Sequence, residues 1–174
     1  TVVSSPIQTH CRHTCTALEY GSHVLCEKPL AATVQEGLQM VEARDRADRQ
    51  VAIGYQWSFS PATLAFKQDV MAGTFGAPLA MKTLVCWPRN HAYYGRNTWA
   101  GALKDASGAW VLDSPIGNAT AHYLHNMLFL LGDQLNTSAI PAEITGELYR
   151  ANDITNYDTG MLRAQTACGA EVLF

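Results

Sequence analysis

The apolar positions of the first third fall into short runs separated by longer amphipathic segments. Val2-Val3 ends at Ser4-Ser5-Pro6. A helix is predicted from roughly Thr9 to Tyr20, closed by Gly21 just past its end, where glycine is favoured. His23-Val24-Leu25-Cys26 reads as a short buried strand. Thr33-x-x-Glu36 is a capping box that opens the next helix, on which Val34, Leu38 and Val41 form an apolar stripe at i, i+4 and i+7. Arg46 and Arg49 are predicted in its last turn, where cations suit the helix dipole. Val51 to Tyr55 reads as another strand. Short apolar strands alternating with amphipathic helices predict a parallel sheet with helices on its faces.

The pattern then changes. Ser60-Pro61 caps and starts a helix that ends near Gly73, and residues 79–87 read as a longer strand. The stretch from Pro88 to Ala109 is rich in Asn, Gly, Arg and aromatics without a period; a loop of that length is usually functional or mobile. A single helix is predicted from about Pro115 to Leu131, stopping at Gly132. Strands near 143–151, 159–168 and 170–174 suggest an antiparallel or mixed sheet. The expected organisation is an α/β parallel-sheet unit over residues 1–56, then a second α/β unit with a mostly antiparallel open sheet over 57–174, the boundary falling near 55–60.

Composition narrows the class. Hydrophobic residues make up 48% and charged residues 16% of the 174, which is globular rather than disordered. The net charge of -3 and the lack of a basic run give no reason to expect nucleic acid, and the apolar runs are too short to span a membrane. Cys11, Cys15, Cys26, Cys86 and Cys168 contain no C-x-x-C pair; a reducing compartment, and hence the cytoplasm, fits them best. Cys11 and Cys15 lie at i and i+4 with Leu18 at i+7, the spacing of core packing. The chain opens within an apparent buried strand and stops at Val172-Leu173-Phe174 within another, so a piece of a longer protein is expected, with an upstream signal left open.

Three groups of residues can carry chemistry. Glu27-Lys28-Pro29 directly follows a buried strand, and in parallel sheets ligands bind beyond the carboxyl ends of the strands. A lysine there can hydrogen-bond a substrate hydroxyl, or it is a solvated residue in an ordinary turn. On the helix from Pro115, Asn118, His122 and His125 fall at i, i+4 and i+7 on one stripe, apart from the stripe of Ala121, Leu124, Leu128 and Leu131. Histidine suits acid–base work because its unperturbed pKa, about 6.5, lies near working pH; structural histidines are the competing reading. His122-x-x-His125, with His91 and Asp113 imagined as further ligands, is half a metal pattern with nothing to fix its geometry, and no metal is expected. Tyr94, Arg96 and Trp99 belong to an aromatic-polar loop of the kind that lines small-molecule pockets or anchors to a core.

In order and spacing, Val2-Val3-Ser4-Ser5-Pro6-x-x-x-His10, Gly21-Ser22-His23-Val24-Leu25-Cys26-Glu27-Lys28-Pro29-Leu30-Ala31, Gly54-Tyr55 and Phe59-Ser60-Pro61 resemble the glucose–fructose oxidoreductase / inositol dehydrogenase / MocA family. The string from His23 to Ala31 is the most specific part. The resemblance implies the C-terminal part of a Rossmann domain followed by an incomplete α/β domain whose open sheet often mediates oligomers, so a homo-oligomer is expected at full length. It implies NAD or NADP, with the glycine-rich phosphate loop upstream. Lys28 then matches the family's active-site lysine, on a cis bond to Pro29, and His122 its catalytic histidine. Ser5, Pro6, His10, Glu27, Lys28, Pro29 and Gln56 fall on the cofactor side. Asn118, His125, Tyr94, Arg96 and Trp99 fall on the substrate side. Two positions where the family usually carries Asp are here Asn118 and His125, and the Arg common before Phe59 is Ser58.

The activity implied is hydride transfer between nicotinamide and a sugar or polyol, with Lys28 on the reacting hydroxyl and His122 moving its proton. An NAD-dependent glycoside hydrolase using transient oxidation, and a non-catalytic dinucleotide-binding protein, are the alternatives.

Overall fold

A computed structural model describes residues 1–174. In chain order the elements are β1 (Val2–Val3), α1 (His10–Glu19), β2 (Val24–Cys26), α2 (Val34–Ala47), β3 (Val51–Ile53), α3 (Pro61–Met71), β4 (Ala80–Lys82), α4 (His91–Tyr94), α5 (Ala121–Leu130), β5 (Pro141–Tyr149), β6 (Thr159–Thr166) and β7 (Glu171–Leu173). They pack as two compact units. The first holds Thr1–Gly54, Arg89–Ala119 and Asn152–Asn156; the second holds Tyr55–Pro88, Thr120–Ala151 and Tyr157–Phe174.

In the first unit β1, β2 and β3 form a parallel sheet in that order, with Val3 opposite Cys26 and Cys26 opposite Ile53. The sheet's inward side chains, Val3, Val24 and Cys26, meet Leu18 of α1 and Met40 and Ala43 of α2 in one core. Cys11 and Cys15 pack at its edge as free thiols. The capping box at α2 forms as expected: the Glu36 N–H donates to Thr33 Oγ1 and the Thr33 N–H to Glu36 Oε2, both at 3.2 Å.

The predicted stripe on α2 is not the buried one. Val34 and Leu38 are 76% and 58% exposed, while Gly37, Met40 and Ala43 are buried. The reason is a close approach. A Cβ at Gly37 would stand 3.0 Å from Leu30 Cδ2, so the glycine lets the segment around Leu30 lie flat on the helix and turns that face inward. Arg49 also falls outside the helix. Asp48, at φ 50°, ends it in the left-handed region, and Arg49 Nε donates to Gly21 O at 2.7 Å instead.

The second unit sets α3 and α5 beside a four-stranded sheet in the order β4-β7-β6-β5, mostly antiparallel, with only β4 and β7 parallel. Ser60 caps α3 by accepting from the Thr63 N–H, and Pro61 occupies its first position. Met127 and Leu131 pack against Ala164, Ala170 and Val172, joined by Leu124 and Leu128. The strand expected over 79–87 is limited to β4, since only Ala80–Lys82 pair in register with β7. No helix is long and apolar enough to cross a membrane.

The helix expected from Pro115 to Leu131 is broken. Pro115–Ala119 is a π-helical turn in the first unit, in which the Ala119 N–H donates to Ser114 O at 3.2 Å, and α5 starts after Thr120 in the second. The wider turn adds a residue to the local repeat. Asn118 therefore does not share a continuous α-helical stripe with His122 and His125.

Candidate functional site

The carboxyl ends of β1, β2 and β3 open onto one edge of the first unit. β1 runs into Ser4-Ser5-Pro6, β2 into Glu27-Lys28-Pro29 and β3 into Gly54. The Lys28–Pro29 bond is cis. His10 is 1% exposed, with Nδ1 2.8 Å from Pro29 O and Nε2 2.8 Å from Ser5 O, so its ring braces the first two of these turns against each other. Gly54 lies against the β2 turn: a Cβ there would stand 3.3 Å from Glu27 Cα and from Lys28 N. Any side chain at 54 would press the third strand end away from the lysine.

Lys28 is half-buried. Its ammonium donates to Asn118 O at 2.7 Å and Asn118 Oδ1 at 2.9 Å. The amide nitrogen of Asn118 donates onward to Asp113 Oδ1 at 2.6 Å, and Asp113 Oδ2 accepts the Gly101 N–H at 2.8 Å. Burial lowers the Lys28 pKa from its ordinary value, against an upward pull from the Glu27 and Asp113 carboxylates. An ammonium with reduced proton affinity, fixed by two oxygens at a strand end, can donate a hydrogen bond to a ligand hydroxyl and exchange a proton with it.

Asp113 is the residue that organises the long unpatterned stretch. The Asp113 N–H donates to Ala102 O at 3.1 Å, and Asn156 bridges the same knot, its Nδ2 to Asp113 O and its N–H to Gly101 O, both at 2.9 Å. The predicted loop residues sit around it. Tyr94 abuts Gly101 and lines a 330 Å³ cleft with His91, Asn152, Asp153 and Thr155. The Arg96 guanidinium stacks 3.6 Å from the centre of the Tyr93 ring and 5.5 Å from that of Trp99.

In the second unit the histidines of α5 stand in an aromatic stack. His125 lies parallel to Tyr55 at 4.0 Å between ring centres, and His122 is stacked on Trp57 at 4.6 Å and edge-on to Tyr55 at 5.7 Å. Trp57 belongs to the 3₁₀ turn Gln56–Phe59, so Gln56 lies in this unit as well. Ser58 Oγ donates to Asn126 Oδ1 at 2.8 Å and lies 2.9 Å from His125 Nδ1, which therefore carries the proton it donates to Ser58. Burial, with His122 and Lys67 adding to it, lowers the His125 pKa to about 4. Lys67 is fully buried, donating to Thr137 O and standing 3.8 Å over the Phe129 ring. The sequence singled out neither Ser58 nor Lys67 as part of this cluster, and no group of three or more His, Cys, Asp or Glu side chains is placed to hold a metal ion.

Residues 1–55 match the family model described as "Oxidoreductase family, NAD-binding Rossmann fold". Over 125 residues the chain is 39% identical to inositol 2-dehydrogenase 3 of Saccharopolyspora erythraea, covering 68% of this chain and 36% of the relative. It is 29% identical over 134 residues to the 1,5-anhydro-D-fructose reductase of Ensifer adhaerens, covering 75% of this chain and 37% of the relative. The crystal structure of the WlbA dehydrogenase from Bordetella pertussis, in complex with NADH and UDP-GlcNAcA, superposes with a TM-score of 0.84 at 26% identity, over 99% of this chain and 46% of that one. The chain thus spans little more than a third of these curated relatives. Its sequence from His23 to Ala31, its parallel sheet and these similarities identify it as a member of the Gfo/Idh/MocA oxidoreductase family.

Proposed function

We propose that this chain supplies the nicotinamide-side half of a dinucleotide site and the acid–base residues of an NAD(P)-dependent oxidoreductase acting on a sugar or polyol hydroxyl. The observation that carries the reading is the Lys28 ammonium, held by Asn118 at the carboxyl end of the middle strand of a parallel sheet.

The residues present fit such a cofactor. The strand ends gather the Ser5 hydroxyl, the exposed Glu27 carboxylate and backbone amides at one edge, the donor and acceptor set that ribose and carboxamide groups require. Gly54 lets the end of β3 lie close against the Glu27-Lys28 turn. When bound, nicotinamide supplies the hydride acceptor or donor. Lys28 orients the reacting hydroxyl by a hydrogen bond, and Glu27 faces the ribose. His122, stacked on Trp57, takes the hydroxyl proton in the oxidative direction and returns it in the reductive one. His125 and Asn118 bind substrate hydroxyls, and Tyr94, Arg96 and Trp99 cover the sugar ring.

The test uses the full-length protein. Nicotinamide absorbance is followed with a panel of sugars, polyols and aryl glycosides, and released aglycone is measured in the same wells. Net reduction or oxidation of NAD(H) or NADP(H) by a sugar or polyol is expected. Aglycone release with no net absorbance change would replace the proposal with a transient-oxidation hydrolase, and cofactor binding without either signal with a non-catalytic role.

A further inference from the structure

We infer that Asp113 is a positioning residue for Lys28, acting through the side-chain amide of Asn118; this rests on Lys28 being the working lysine of the proposed site. The relay runs from Lys28 Nζ to Asn118 Oδ1 at 2.9 Å and from Asn118 Nδ2 to Asp113 Oδ1 at 2.6 Å. Its polarity is forced. An ammonium only donates and a carboxylate only accepts, so the amide must present oxygen to Lys28 and nitrogen to Asp113. Both Asp113 oxygens accept from N–H groups, the pattern of the ionised form. Asp113 is 4% exposed, so its charge is poorly screened and falls on Lys28, which reaches it through that single amide.

The backbone supports a dedicated placement. Leu112, immediately before Asp113, has φ 51°, a left-handed conformation that L side chains rarely adopt. That conformation is held by the Leu112 N–H to Leu103 O at 3.1 Å, and it directs the next residue inward. Backbone strain of this kind persists where the surroundings over-determine it, often at working sites.

The charged groups acting on Lys28 are Glu27, on its own turn, and Asp113, ahead of the π-turn that carries Asn118. Glu27 exerts the stronger of the two pulls but stands on an exposed side chain, whereas Asp113 is buried, with both oxygens fixed by hydrogen bonds.

Asp113→Asn keeps an acceptor for the Gly101 N–H but offers the Asn118 amide a donor. Asn118 then turns over, and its NH₂ faces the lysine. The double variant Asp113→Asn with Asn118→Asp restores the order of donors and acceptors, with the carboxylate one place nearer Lys28. The measurement is competitive acetylation of Lys28 against pH in the full-length protein, read by mass spectrometry, alongside kcat and KM. Asp113→Asn and Asn118→Ala are each expected to raise Lys28 labelling near neutral pH about three- to tenfold, corresponding to roughly half to one pKa unit. The double variant is expected to return labelling to the parent level or below, and to recover part of the kcat lost in Asp113→Asn. Labelling unchanged in both Asp113→Asn and Asn118→Ala, or raised equally in Asp113→Asn and the double variant, would overturn the assignment. The labelling arm needs no turnover, so it reads even if the oxidoreductase proposal fails.

Discussion

Ser58 and His125 stand at opposite ends of a 2.9 Å hydrogen bond between a hydroxyl and an imidazole nitrogen. Tyr55 stacks on the same imidazole ring at 4.0 Å, so His125 is held at its edge by the hydroxyl and on its face by the phenol ring.

Removing that hydroxyl isolates two half-buried partners. Ser58→Ala takes the acceptor from His125 and the donor from Asn126 and is expected to cost about 1–3 kcal/mol. Urea unfolding of the full-length protein measures it; Ser58→Thr should recover part of the loss.

His125 also gives stability a pH dependence. Its folded pKa, about 4, lies below the ordinary 6.5, so the unfolded chain binds the proton first as pH falls. The contribution is present in full above 6.5 and is lost progressively as pH falls from 6.5 to about 4. His125→Asn should flatten the stability profile across that window relative to the parent, as read by urea midpoints at several pH values. Parallel profiles would show that His125 titrates normally.

Lys67 is a cation packed as a core residue, with no exposed surface, its head over Phe129. Truncation to Ala opens a cavity and is expected to cost about 2–5 kcal/mol. Lys67→Met keeps most of the volume and no longer buries an ammonium, so it should cost less than half as much. Thermal unfolding of the two variants decides this.

Gly132, which ends the α5 segment, has no room for a side chain: a Cβ would clash with Thr137 O and approach Lys67 Nζ to 3.0 Å. Gly132→Ala should destabilise by about 1–3 kcal/mol through overpacking. A neutral effect in urea unfolding would mean that the Thr137 turn yields easily.

The parallel sheet, the capping box at Thr33 and the Ser60-Pro61 helix start were legible because each rests on local chemistry that repeats from protein to protein. The buried face of α2 was not, because a glycine sets it. Gly37 carries no hydrophobic signal, yet it allows the approach of Leu30 that turns Val34 and Leu38 outward. The break at Thr120 was hidden for a related reason. Asn118 and His122 are spaced for one helix in sequence, and only the Ser114 carbonyl accepting from Ala119 reveals the π-turn that carries Asn118. Lys28 could be read from its place after a strand. Asp113 could not be given its role, since its partners at Gly101, Asn118 and Asn156 are long-range hydrogen bonds without a sequence period.

The most direct test of the central claim is turnover of the full-length protein, on the best sugar or polyol found in the panel, with Lys28→Ala and His122→Ala measured beside the parent. Each substitution is expected to lower kcat by about 10²- to 10⁴-fold, the usual contribution of a positioned acid–base group. Parent-like turnover in both variants would contradict the assignment of the chemistry to these two residues.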